Sequence, residues 1–159
     1  MSMLSPDVHP CAYCTLNSSG RVSEQFIRFG ETAKSMLYLH RDQSLPGRMV
    51  IAVRTHARDV TDLPDDVHAD FFDTVRAAAR AARNVFPSTR KINLAVGGNL
   101  PQFSHPHVHL VPRHTGDRKW PDFTLDVQQP FWPANDRRFA QTIERLLADP
   151  NFKGRVRGM

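Results

Sequence analysis

The stretch SHPHVHLVPRH, residues 104–114, decides how the chain is read. Three of the eight histidines, His105, His107 and His109, stand in it at alternate positions, with Pro106 and Val108 between them and Leu110 after. Successive side chains on a strand point to opposite faces and alternate ones recur about every 6.6 Å. The spacing therefore predicts a strand with three imidazoles on one face and with Val108 and Leu110 turned to the core. Pro106 cannot donate to a ladder, which places it at a strand start or on an edge.

Three imidazoles on one face suit two chemistries. They can hold a metal, since His is the commonest neutral ligand and His-x-His pairs on a strand can converge on one zinc. Alternatively, one imidazole is a nucleophile and its neighbours organise phosphate oxygens, which suits a ring with an ordinary pKa of about 6.5. A hydrolytic metal site normally recruits carboxylates or further histidines close by, and residues 90–113 contain neither Asp nor Glu. They offer a Gly-Gly loop with Asn99, Gln102 and Ser104, uncharged groups able to hold phosphate oxygens. These surroundings favour the nucleophile.

The chain's 159 residues fit one domain. Its start, MSMLSPDVHPCAYC, lacks a basic segment followed by an apolar one, so no secretory signal is expected and the cytoplasm is the expected compartment. Cys11 and Cys14, the only cysteines, are spaced C-x-x-C, which in that compartment reads as a metal or redox site rather than a staple. The longest aliphatic run, Met49–Val53, falls far short of the ~20 residues of a membrane span. A net charge of +5 suits an anionic partner such as a nucleotide or phosphate. The basic residues are scattered and not interleaved with aromatics, which speaks against a nucleic-acid surface.

Residues up to about Gly20 read as loop. EQFIRFG, KSMLYLH and RMVIAVR read as strands of a meander with a turn at Leu45-Pro46-Gly47. From Asp65 to Phe86, Val67, Phe71, Val75, Ala78, Ala82 and Val85 recur at helical spacing, with Asp65 and Asp66 in the first turn and Arg80 and Arg83 near the end. Pro87 closes that helix, and KINLAV and HPHVHLV return to strand character. A second helix is expected over Asp136–Ala148, capped by Asn135. Between them, residues 115–135 form a long segment rich in Pro and Trp, of the kind that is usually functional or mobile. Hairpin connections with a single long crossover helix predict an antiparallel α+β domain.

HPHVHLVPR, at 105–113, resembles the signature His-φ-His-φ-His-φ-φ of the histidine-triad superfamily, and LHRDQSLPGRMVIAVRTH, at 39–56, is similar to the strand, turn and strand that precede the helix there. The resemblance covers about residues 10–113, with 114–159 as a C-terminal loop and helix of the same domain. It implies a HIT-like α+β fold, a five-stranded antiparallel sheet with two helices, paired into a homodimer. It also implies a nucleotidyl hydrolase or transferase, acting on substrates such as dinucleoside polyphosphates or nucleoside phosphoramidates, in which His107 attacks an α-phosphate while His105 and His109 orient it and contact the phosphate. Zinc-bearing relatives complete the C-x-x-C with a histidine after the third strand and the first triad histidine. The matching residues are Cys11, Cys14, His56 and His105, a structural zinc site with no organic cofactor.

Aligned through the Pro46-Gly47 turn, His40 stands where many members carry Asn or Asp for the ribose, and Arg48 stands where a His often follows the turn. Gln102 replaces the usual Ser or Thr. With Asn99 and Ser104, these are the substrate-binding candidates. The Pro between His105 and His107 resembles the galactose-1-phosphate uridylyltransferase branch, so hydrolysis and transfer both stay open. The rival readings are a non-catalytic module that binds nucleotide or nucleic acid in the same pocket, and a metal-dependent hydrolase.

Overall fold

The computed structural model describes residues 11–18, 23–97, 103–117 and 125–159. Apolar residues at a two-residue period build its sheet. Strands β1 (Phe26–Glu31), β2 (Ser35–His40) and β3 (Met49–Val53) form a meander, followed by β4 (Thr89–Gly97), β5 (His107–His114) and a two-residue β6 (Arg157–Gly158). The order across the sheet is β4-β5-β3-β2-β1-β6, and every neighbouring pair is antiparallel. β5 comes last among the long strands yet pairs with β3 on one side and β4 on the other. The strand that carries the histidines is thus interior, and Pro106 falls just before its start.

Alternation sends the two sets of side chains to two cores. Leu37, Leu39, Met49, Ile51, Val108 and Leu110 face α2 (Asp65–Val85), whose Phe71, Val75, Ala78 and Ala82 are buried against them. Met36, Tyr38, Val50 and Ala52 face the other way, against Tyr13 and Phe26. Because both faces are covered, β2 and β3 are buried along their whole length and read as continuous apolar runs. α3 (Arg137–Ala148) adds Phe139 and Leu146 to the first core.

Among the described residues the sheet has six strands and the fold three α-helices, against the five and two expected. β6 is too short to leave a pattern. It forms because Gly158 and Arg157 pair with Gly30 and Glu31, with an ion pair between Arg157 and Glu31. The extra helix is α1 (Ala12–Ser18), in a segment expected to be loop. Its one fully buried side chain, Tyr13, packs in the second core, so no amphipathic repeat marks it. α3 is capped by Asp136, not Asn135: the Asp136 carboxylate accepts from the Arg138 amide at 2.9 Å.

The β2–β3 turn needs Gly47, whose φ of +90° is left-handed and whose absent Cβ would lie 2.9 Å from the Phe86 ring. Among the described residues, no helix is long and apolar enough to cross a membrane.

Candidate active site

The ladder register assembles the site. His107 lies opposite Ala52 of β3 and Gly97 of β4, and His109 opposite Val50 and Ala95, so both rings rise above small or short neighbours. His40 ends β2 on the same face, and its amide donates to the Arg48 carbonyl at 3.1 Å. Above them is a cavity of about 300 Å³. Its walls come from His40, His107, His109 and Gly97 on the sheet, from Tyr13, Phe26 and Phe103, from Leu125 and Val127, and from Arg48 and Gln25.

Backbone carbonyls fix the tautomers of His105 and His107. His107 donates from Nδ1 to the His105 carbonyl at 2.7 Å, which leaves its Nε2 as a lone pair. That atom lies on the Gly97 side, 3.6 Å from where a Cβ would stand. Burial lowers the His107 pKa, opposed by the bond to the His105 carbonyl, so the ring is biased towards the neutral form. His109 is held at about 4 by burial and by the adjacent His107 and Arg48, and its Nδ1 has no hydrogen-bond partner among the described residues. His40 is held at about 3, again by burial and Arg48, and its Nδ1 accepts from the Asp42 amide at 2.9 Å. As a neutral ring whose Nδ1 accepts, His40 carries its proton on Nε2.

His105 faces elsewhere. Fully buried, it donates from Nε2 to the Val53 carbonyl at 2.6 Å, and its Nδ1 lies 3.4 Å from Cys11 Sγ and 3.6 Å from Cys14 Sγ. Cys14 Sγ is also 3.4 Å from His56 Nδ1. The ligand atoms of Cys11, Cys14, His56 and His105 all lie within 4.8 Å of one another. Two soft thiolates and two imidazoles are a donor set for a tetrahedral metal, and Zn–S and Zn–N bonds at tetrahedral angles would separate S from N by about 3.5 Å.

Arg48 and Asp42 form a buried ion pair at 3.2 Å. The Arg48 guanidinium also donates to the carbonyls of Asp126 and Leu125, each at 2.7 Å. Burial works against the Asp42 charge, but amide donors from Gln128 and Ser44 and the Arg48 charge hold its carboxyl below the usual range. The Ser104 hydroxyl donates to the Arg58 carbonyl at 3.2 Å, and Ser104 is not part of the cavity wall. Asn99 and Gln102 lie outside the described residues.

A sequence profile of the HIT domain matches residues 23–116. The chain belongs to the histidine-triad family. Its fold recurs in a histidine triad protein from Bradyrhizobium japonicum, 25% identical over 80% of this chain and 92% of that one, with a TM-score of 0.66. A histidine triad protein from Marinobacter aquaeolei gives a TM-score of 0.70 at 22% identity, covering 86% and 95% of the two chains. A zinc-bound histidine triad family protein from Mycobacterium smegmatis gives 0.62 at 24% identity, covering 86% and 92%. A comparison with curated proteins found no match.

Several residues of this HIT domain's cavity acquire their place only through the fold. Gly97 is set opposite His107 by ladder register, and Phe26 is brought beside His40 by the β1–β2 pairing. Tyr13 is adjacent to the C-x-x-C, and its ring centroid stands 4.5 Å from that of His107. Asp42 could have been noticed as the one carboxylate in the β2–β3 turn.

The neutral imidazoles make stability pH-dependent. His40 and His109 protonate at about 3 and about 4 in the fold, against about 6.5 in the unfolded chain. Between those values the unfolded state binds more protons, so their contribution is fully present above about pH 6.5 and is lost on acidification, by up to about 1.4 kcal/mol per pH unit for each ring. Urea unfolding between pH 7.5 and 5 should show the midpoint falling as pH falls, and His40→Gln should make that fall shallower. A midpoint independent of pH in this range would contradict the buried neutral rings.

Proposed function

We propose that the protein is a nucleotidyl hydrolase or transferase that acts on an α-phosphate of a nucleoside phosphate derivative through a covalent intermediate on His107. The observation that carries this reading is the His107 Nδ1 bond to the His105 carbonyl, which leaves Nε2 free as a nucleophile beside the cavity. In the proposed step, Nε2 bonds to phosphorus as the bond to the leaving group breaks, and the leaving group departs with the electron pair. Water or another acceptor then displaces the imidazole and restores its tautomer. Charge building on the phosphate oxygens would be met by donors already oriented at the cavity, among them His109 and the His40 Nε2–H. Removing one such donor typically costs a few kcal/mol of barrier. Family membership and the apolar, aromatic wall opposite the triad support a nucleotide as the substrate.

The test is covalent labelling. Protein quenched with an α-phosphate-labelled dinucleoside polyphosphate, nucleoside phosphoramidate or nucleotide sugar should carry acid-labile label on His107. His107→Gly should lose the label and reduce turnover by roughly 10³-fold or more while still binding nucleotide. Near-native turnover by that variant would overturn the mechanism. Binding without label in the native protein would favour the non-catalytic module.

We further propose a structural zinc held by Cys11, Cys14, His56 and His105. The S···N distances near 3.5 Å and the Val53 carbonyl behind His105, which orients its Nδ1 to the sulfurs, support it. The zinc-bound Mycobacterium smegmatis protein is consistent with it. When bound, the metal would tie the α1 segment to the loop before β5, and the residues at the phosphate do their work without it. Gently purified protein should contain one zinc per chain, lost in Cys14→Ser with a lower melting temperature. Substoichiometric metal in the native protein would remove the proposal.

A homodimer joined edge to edge across β4 is the proposed assembly. β4 is the outer strand on its side of the sheet, and it exposes Leu94 and Val96. Light scattering at micromolar concentration should give about twice 18.1 kDa, and Val96→Lys should shift it towards the monomer. A monomeric native protein would end this assignment.

A further inference from the structure

Two residues of the cavity wall, Leu125 and Val127, belong to no strand or helix. Their segment is held by buried charge. Arg48 and Asp42 expose only 3% and 2% of their side chains. The Arg48 Nη1 and Nη2 donate to the carbonyls of Asp126 and Leu125, and the Gln128 amide donates to Asp42 Oδ2, each at 2.7 Å. Asp42 is itself held by the Ser44 amide at 2.9 Å. Farther along, Arg41 donates to the Trp132 carbonyl at 3.0 Å and lies over the Phe131 ring. The β2–β3 turn therefore grips the segment at two points, and charge-assisted bonds of this kind are short and strong. With both terminal nitrogens turned to these carbonyls and to Asp42, Arg48 is a holder of backbone.

The grip fixes what the segment shows to the cavity. Leu125 and Val127 keep 38% and 37% of their surface exposed, although each is an apolar side chain at the cavity wall. The site thus sets the His107 and His109 imidazoles towards one end and an apolar face of Leu125, Val127 and Phe26 elsewhere, with His40 beside Phe26. Arg48 immediately precedes Met49, which pairs with Leu110, so it stands two alternate steps from Ala52 and its partner His107. Two such steps are roughly 13 Å along the sheet. That separation suits a ligand with a charged phosphate at one end and a flat, largely apolar base at the other.

We propose that Leu125–Gln128 is a fixed wall that selects the base, with Leu125 and Val127 as specificity-determining residues and Asp42 and Arg48 as positioning residues. The proposal rests on the nucleotide reading of the site given above. A hydrophobic wall discriminates through contact area, and a methylene or two in such a pocket is worth roughly tenfold or more in binding.

The test is direct binding, so that it does not depend on turnover. AMP, GMP, CMP, UMP and ribose 5-phosphate are titrated calorimetrically into the native protein, into the Leu125→Ala/Val127→Ala double variant and into Asp42→Asn. Because Leu125 and Val127 are partly exposed, the double variant should melt close to the native protein. The native protein should bind at least one nucleotide more tightly than ribose 5-phosphate and should differ among the four bases. The double variant should lose roughly tenfold for the preferred nucleotide, flatten the differences among bases, and keep its ribose 5-phosphate affinity within about twofold. Asp42→Asn should shift base preference in the same direction. Native binding with an unchanged base preference in the double variant would overturn the wall while leaving the nucleotide reading intact, and so would an equal loss for ribose 5-phosphate. A native protein that binds none of the five ligands would overturn both.

Discussion

Val53 ends β3 with both of its backbone polar groups committed to the chain around His105. Its amide donates to the Pro106 carbonyl at 3.1 Å, and its carbonyl accepts from His105 Nε2 at 2.6 Å. One residue further, the His105 carbonyl accepts from His107 at 2.7 Å. Three consecutive bonds thus link the end of one strand to the orientation of two imidazoles. His105 is forced to aim Nδ1 at the sulfurs, and His107 is forced to keep its lone pair on the far nitrogen. Moving β5 by one residue against β3 would turn both rings to the wrong face, since the side-chain period is two.

Charge is arranged so that the rings do not need to carry any. At the cavity's Arg48 end, Arg48 and Asp42 are buried as a mutual pair whose terminal atoms are bonded to backbone, and a buried pair of this kind is costly to break from one side. Burial above all, with the Arg48 charge added to it, keeps His40 and His109 from protonating. A neutral His107 ring among neutral neighbours keeps its Nε2 lone pair at physiological pH.

Much of this was legible in the sequence, for reasons that separate local from non-local signals. The meander, α2 and β5 follow from periodicities of two and 3.6 residues, which are local. The thiol and imidazole cluster was accessible through spacing and resemblance together, with His56 and His105 far from the cysteines in sequence yet next to them in the fold. What escaped depended on register and on long-range capture. Gly97 gains its place only from its partner His107, α1 has one buried residue in place of an apolar stripe, and β6 is two residues long. Leu125 and Val127 lie in a segment whose pattern says only that it is not a helix, and they acquire a position through Arg48 and Asp42.

The central place of β3 also shapes how the chain can be made. Met49-Val50-Ile51-Ala52-Val53 is an uncharged apolar run without Pro or Gly, and it is buried along its length. During synthesis it can pair with β2 at once, but its other edge belongs to β5, and residues 54–106 must emerge first. Until then a growing chain presents an unpaired apolar strand edge of the kind that adheres to its copies. Translation pausing or truncation within α2 would leave that edge bare for longest. The nascent protein should therefore lean most heavily on chaperones over the stretch of translation in which its fold is otherwise half built.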